Sequence, residues 1–166
     1  YILGLAHQKK GQYAEAEAAF LKVLELTPNF APVHYQLGIS YQQLGRTDEA
    51  LAAYAKAREL DPSNPDSAYN SGLILFSQGE PAKALALFEK ALELRPDDPA
   101  FLEMAGRCQI NLAAVPKPDG GVEVDKTAFE KALGYLEKAK TGYVDNPDKL
   151  EFIEGLINLI KEQIRK

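Results

Sequence analysis

His7, His34 and Cys108 are the side chains of this chain best suited to nucleophilic, acid–base or metal chemistry, and their surroundings work against all three. A zinc site needs further Cys or His at short spacing, and neither histidine has one. Cys108 follows Gly106 by two residues on a predicted packing helix, which reads as a small buried hydrophobe rather than an activated thiol. A single cysteine also forms no internal disulfide. Carboxylates are plentiful, with Asp and Glu numbering 24, but no pair is framed by an apolar, water-excluding loop that would raise one pKa for general acid work. Gly120-Gly121 is followed by no Lys-Ser/Thr pair, so it is not a phosphate-cradling loop. The expectation is a protein that is not an enzyme, with no catalytic residue, metal or cofactor.

Chemistry of contact remains. Tyr1, Tyr35 and Tyr69 recur at intervals of 34, accompanied by the amides Gln36 and Asn70 and by the apolar Leu5, Ile39 and Leu73. Gln8, Gln42 and Phe76 form the next column, and Glu103, Met104, Arg107, Ile110 and Asn111 continue the same face further along. Tyrosine offers a large contact area at the cost of ordering only two torsions, and an amide can pair with both the C=O and the N–H of an extended ligand. Partner contact is therefore assigned to Tyr1, Tyr35, Gln36, Ile39, Gln42, Tyr69, Asn70, Leu73, Phe76, Glu103 and Arg107.

The elements that must carry these residues are legible in the same interval. Gly4, Gly38, Gly72 and Gly106 open four copies of a pattern, followed by Ala16, Ala50, Ala84 and Ala132. Then come Phe20, Tyr54, Phe88 and Leu136, and after them Val23, Ala57, Ala91 and Ala139. Pro28, Pro62 and Pro96 close three of the copies. Such a period with small residues in fixed columns predicts pairs of antiparallel helices, a leading and a trailing one per copy. Gly and Ala are expected where the two backbones come closest, with the aromatic or Leu filling the wedge between neighbouring pairs. Gly45 and Gly79 are placed to end leading helices in a left-handed cap, and Pro81 fits the first turn of a trailing helix.

Leu37-Gly38, Tyr41, Ala50, Tyr54, Ala57 and Pro62 fall without a gap on the consensus of the tetratricopeptide repeat family, which the chain resembles over about residues 1–146. The resemblance implies an all-α fold, a right-handed α-solenoid of antiparallel helix hairpins whose leading helices line a concave groove. Repeats are expected at 1–30, 31–64, 65–98 and 99–146, with a C-terminal capping helix at 147–166. The first begins inside its leading helix, so the register predicts residues upstream of Tyr1. Chaperone-binding members hold a C-terminal carboxylate with Lys, Asn and Arg. The matching columns here hold Tyr1, Leu5, Gln36, Asp66 and Asn70, which present no paired cations.

Two stretches depart from the pattern. Residues 113–126, AAVPKPDGGVEVDK, are inserted in the fourth repeat; removing them returns Ala132 and Pro147 to register. Pro116 and Pro118 block helix continuation, Asp119-Gly120-Gly121 signals a turn, and Val122-Glu123-Val124 alternates like a short strand. The longer loop costs only about 1.5 kcal/mol in closure entropy, so it is read equally as a binding element or as a passive excursion. The last segment starts at Pro147 with Asn146 as N-cap, and Phe152 and Leu159 widen its apolar stripe into a candidate homodimer contact.

The net charge of −5 and the scattering of Lys and Arg exclude a nucleic-acid partner, and no apolar run reaches the roughly 18–20 residues that span a bilayer. The function expected is non-catalytic binding of a peptide or protein segment in the groove, as adaptor or assembly scaffold. The alternatives are an accessory substrate-selecting domain of a larger enzyme and a homo-oligomerising structural module.

Overall fold

The computed structural model describes residues 1–116 and 122–165. The expected turn at Asp119-Gly120-Gly121, and Pro118 before it, lie outside the described residues. Nine helices and one short hairpin run among them: α1 (Ile2–Lys9), α2 (Tyr13–Leu26), α3 (Ala31–Gln43), α4 (Thr47–Leu60), α5 (Asp66–Ser77), α6 (Pro81–Leu94), α7 (Pro99–Ala113), β1 (Ala114–Pro116), β2 (Val122–Val124), α8 (Lys126–Gly142) and α9 (Pro147–Arg165). The fold class is the all-α solenoid of helix hairpins. The chain divides into two compact units, Tyr1–Ile74 and Leu75–Lys166.

In the first unit, α1 packs on α2, α2 on α3 and α3 on α4. The turn between α3 and α4 depends on Gly45 at φ +74°, a left-handed conformation that would strain any side chain. It lets Gly45 N–H reach Gln42 O at 3.1 Å and Arg46 N–H reach Tyr41 O at 2.9 Å, capping carbonyls that α3 cannot satisfy internally. Gly11 plays the same part after α1.

The small-residue columns mark close approaches, and the atoms that require them can be named. A Cβ placed on Gly38 would lie 2.5 Å from Cδ1 and Cε1 of the Tyr54 ring, and one on Gly4 would strike the Phe20 ring. Gly4 and Gly38 thus each lie under the aromatic side chain of their own partner helix. The physical reason is that a fully buried ring needs a flat, side-chain-free strip of helix to lie on. The aromatic also reaches the next hairpin, as expected of a residue that fills the wedge: Phe20 clusters with Val33 and Leu37 of α3, and Tyr54 with Ile74 of α5. Ala16, Ala50 and Ala57 are buried as well.

In the second unit, α6 packs on α7, α7 on α8 and α8 on α9. Gly79, at φ +77°, closes α5 as predicted, and α6 starts at Pro81, where the missing N–H costs nothing. Gly106 repeats the glycine arrangement with Leu136 as the covering side chain, 2.8 Å from the added Cβ position. Asp98 Oδ1 accepts from the N–H groups of Ala100 and Phe101 at 3.0 and 3.3 Å, which fixes the start of α7. Asp125 caps α8 in the same way, through Thr127 N–H at 2.9 Å and Ala128 N–H at 3.3 Å. Asn146, the expected cap of α9, accepts from Lys149 N–H at 3.1 Å.

The excursion in the fourth hairpin is shorter than the repeat register suggested, because Ala113 ends α7 and Lys126 begins α8. Register counting measures the number of extra residues and cannot say which of them a helix absorbs. The strand expected at Val122-Glu123-Val124 forms, pairing antiparallel with β1 in the register Ala114↔Val124, Val115↔Glu123 and Pro116↔Val122. Asp125 N–H extends the pairing to Ala113 O at 2.8 Å, so the hairpin is joined to the end of α7. Along α9, Ile153, Ile157 and Ile160 are buried in a cluster with Ala113, Ala128, Ala132 and Leu136, while Phe152 is 44% and Leu159 50% exposed. Among the described residues no helix is long and apolar enough to cross a membrane.

Candidate functional site

Within the first unit, Tyr1 immediately precedes α1, α3 carries Tyr35, Gln36, Ile39 and Gln42, and α5 carries Tyr69, Asn70 and Leu73. A cavity of about 240 Å³ opens between Tyr1, Tyr35 and Gln36, with Pro32, Asn64 and Ser67 on its wall. The Tyr35 hydroxyl accepts a hydrogen bond from Asn70 Nδ2 at 3.2 Å, a link between α3 and α5. The Gln36 backbone carbonyl is occupied by Gln8 Nε2 at 2.8 Å and Ser40 Oγ at 3.1 Å. Its side chain is half-buried on the cavity wall. Gln8 also donates to the buried Ser40 Oγ at 3.0 Å, so it ties α1 to α3.

The tyrosine row is less independent of the core than its column suggested. The Tyr1 ring packs 6.0 Å from Phe20 and edge-on at 5.5 Å from Phe30, and the Tyr35 ring lies 5.8 Å from Tyr54. These rings serve the packing of the first unit as well as its surface, because the trailing helix's aromatic extends far enough to meet them. Ile39 packs against the cluster of Ala50, Tyr54 and Ile74. Gln42 accepts a 2.9 Å hydrogen bond from the Tyr54 hydroxyl, the one polar atom of a side chain buried to 0% exposure. Burial raises the Tyr54 pKa, which keeps that hydroxyl a donor. Tyr69 and Leu73 are half-buried on α5.

Phe76, Glu103 and Arg107 belong to the second unit. Glu103 is only 3% exposed. Its carboxylate accepts from Lys149 Nζ at 2.8 and 3.0 Å and from the Tyr143 hydroxyl at 2.8 Å. Its assignment to a groove surface is therefore corrected: Glu103 is an internal anchor that ties α7 to α9. These partners come from residues 40 and 46 positions away, so no local pattern announced them. The Arg107 guanidinium lies 5.2 Å from the Phe76 ring centroid and 5.8 Å from that of Phe152, with Glu103 at 3.6 Å. Lys149 Nζ lies 5.9 Å from the same Phe152 ring. The sequence reading missed this grouping of two cations about one aromatic.

The residues first considered for chemistry have ordinary places. His7 Nδ1 is 2.9 Å from Gln12 Oε1, and His34 Nε2 is 2.8 Å from Pro28 O, so both histidines brace turns. Cys108 is fully buried, and that burial pushes its thiol up to about 12, far from a reactive thiolate. Among the described residues no group of three His, Cys, Asp or Glu is placed to hold a metal ion.

Residues 35–99 match a family model described as tetratricopeptide repeat, and residues 4–45 match a second, described as TPR repeat. No curated protein matches the chain at a significant level. Among solved structures, MamA protein aligns over 98% of this chain and 85% of its own, with a TM-score of 0.72 and 20% identity. A second MamA structure, from MSR-1, aligns over 84% and 72%, with a TM-score of 0.64 and 23% identity. At such identities the likeness shows the fold. The Yersinia enterocolitica type III secretion chaperone SycD, in complex with a peptide of the translocator YopD, aligns over 68% of this chain and 86% of its own, with a TM-score of 0.58 and 26% identity.

Proposed function

Since this chain is a tetratricopeptide repeat protein, we propose that it works as a non-catalytic binding module that holds an extended peptide segment on α1, α3 and α5 of its first unit. The observation that carries this reading is the cavity between Tyr1, Tyr35 and Gln36, with the Tyr35 hydroxyl held by Asn70. A ring already fixed by packing loses little entropy on meeting a ligand, which makes it an effective anchor. Gln36 and Asn70 supply amides for the ligand backbone, and Ile39 and Leu73 supply apolar area beside them. SycD, a relative in fold, holds a peptide in its crystal structure, which supports a peptide as the class of ligand. In the second unit, Phe76 and Arg107 form a smaller contact patch of their own.

The test is direct. Peptides are selected by display on the intact chain, and the amide shifts of the labelled protein are mapped on adding one of them. Shifts centred on Tyr35, Gln36 and Asn70 are expected; shifts confined to α9 or the hairpin would overturn the assignment. A second reading, self-association through α9, is favoured by exposed Phe152 and Leu159 with open space over Gly155 between them. A monomeric mass in solution at high concentration would remove it.

A further inference from the structure

The fourth hairpin departs from its repeat columns at two facing positions. His7, Tyr41 and Leu75 occupy the column that Gln109 fills on α7, and Ala18, Ala52 and Ala86 occupy the column that Gly134 fills on α8. In the first unit Tyr41 uses that column to pack against buried Phe20 and Leu37. Gln109 with Gly134 instead leaves a cavity of about 380 Å³, lined also by Glu89, Lys131, Tyr135 and Lys138. A Cβ added to Gly134 would meet no atom within 4 Å.

Gln109 is only 7% exposed, yet its amide makes no hydrogen bond among the described residues. No wholly enclosed side-chain nitrogen or oxygen there lacks a partner, so this amide faces the opening it lines. The amide atoms reach solvent through that opening, so a ligand that pairs with them takes the place of water. Lys131 and Lys138 make no ion pair among the described residues. They stand two turns apart on α8, about 10 Å along the axis. The Tyr135 hydroxyl donates to Glu89 Oε1 at 2.9 Å, which leaves the other Glu89 oxygen as an acceptor.

We propose that this cavity is a second peptide site, distinct from the α1, α3 and α5 face, that takes a short acidic segment of a partner protein. Two carboxylates three residues apart on a segment in the polyproline II conformation lie on one side of it, about 9 Å from each other and close to the interval between Lys131 and Lys138. Gln109 pairs with the peptide unit between them, and Glu89 accepts a backbone N–H. The two lysines outnumber Glu89, so the site is net positive within a chain of net charge −5.

The probe is a blocked hexapeptide with glutamates at its second and fifth positions, added to the labelled full chain. Shifts of the Gln109 side-chain amide and of the Gly134 backbone are expected at millimolar peptide. Affinity should fall about tenfold or more in Lys131→Gln/Lys138→Gln, and as much for a peptide with glutamines in place of glutamates. Gln109→Leu should abolish the shifts while leaving the melting temperature unchanged or higher. Equal binding of the glutamine peptide, an absence of shifts, or displacement by equimolar inorganic phosphate would each overturn the proposal. So would a marked loss of stability in Gln109→Leu, since the amide would then have an internal role.

Discussion

Replacing Gly38 by Ala adds one methyl group at a place where the structure has no room for it. The new carbon would sit 2.5 Å from two ring carbons of Tyr54, where ordinary contact begins at 3.4 Å, so the ring must retreat by about 1 Å. Tyr54 is fully buried, with its hydroxyl held by Gln42 at 2.9 Å and its ring beside Tyr35, so the retreat is resisted on two sides. Overpacking of this kind costs about 1–3 kcal/mol, and a weakened hydroxyl bond adds up to about 1. The gain in helix propensity from Gly to Ala returns about 1 kcal/mol. The net expectation is a loss of up to about 3 kcal/mol. Gly155→Ala is the matched control, because it lies inside α9 with nothing within 4 Å of its Cβ position. It should gain about 0.5–1 kcal/mol. Urea denaturation gives both values, and amide exchange should localise the Gly38 effect to α3, α4 and their immediate neighbours. Equal shifts of the same sign in the two variants would refute the claim that a ring lying over glycine holds the hairpin together.

Three further outcomes follow from single contacts. Lys149→Met leaves the buried Glu103 carboxylate with Tyr143 and the longer ion pair to Arg107, and should loosen α9 by about 1–3 kcal/mol, read by amide exchange; adding Glu103→Gln should recover most of it. Cys108 should resist alkylation in mildly alkaline buffer until the chain is denatured, as followed by mass, because burial holds its thiol near 12. The Arg46 hydrogen bonds lower the Glu49 pKa, so this pair stabilises the fold above the ordinary glutamate range and ceases to do so as pH falls through the lowered folded value. Carbon-detected titration of the Glu49 carboxyl should show its midpoint rise in Arg46→Gln, and an unchanged midpoint would remove the pair from the account.

The hairpins were readable because their glycines, alanines and prolines recur every 34 residues, and helix ends follow from local chemistry such as Gly45, Pro81 and Asn146. What lay over each glycine was not readable, since a column records that a position is small without naming the atom that requires it. The site was legible only in part for the same reason. Tyr35, Gln36 and Asn70 lie on α3 and α5 as periodicity placed them, but Gln42 and Glu103 turned inward to partners on other helices. The Glu103–Lys149 pair and the gathering of Arg107 and Lys149 about Phe152 depend on the packing of α7 and α9, which no short spacing encodes.

The central claim is that a partner segment is held by the amides and rings of α3 and α5. It is tested most directly by the affinity of one display-selected peptide for the parent chain and for Gln36→Ala/Asn70→Ala, at low and high salt. Neither side chain is part of the buried core, so helicity should be unchanged. The account predicts affinity at least about tenfold weaker in the double variant, about 1.4 kcal/mol, with little dependence on salt in either protein. Equal affinity in the two proteins, or binding that collapses as salt is raised, would contradict it.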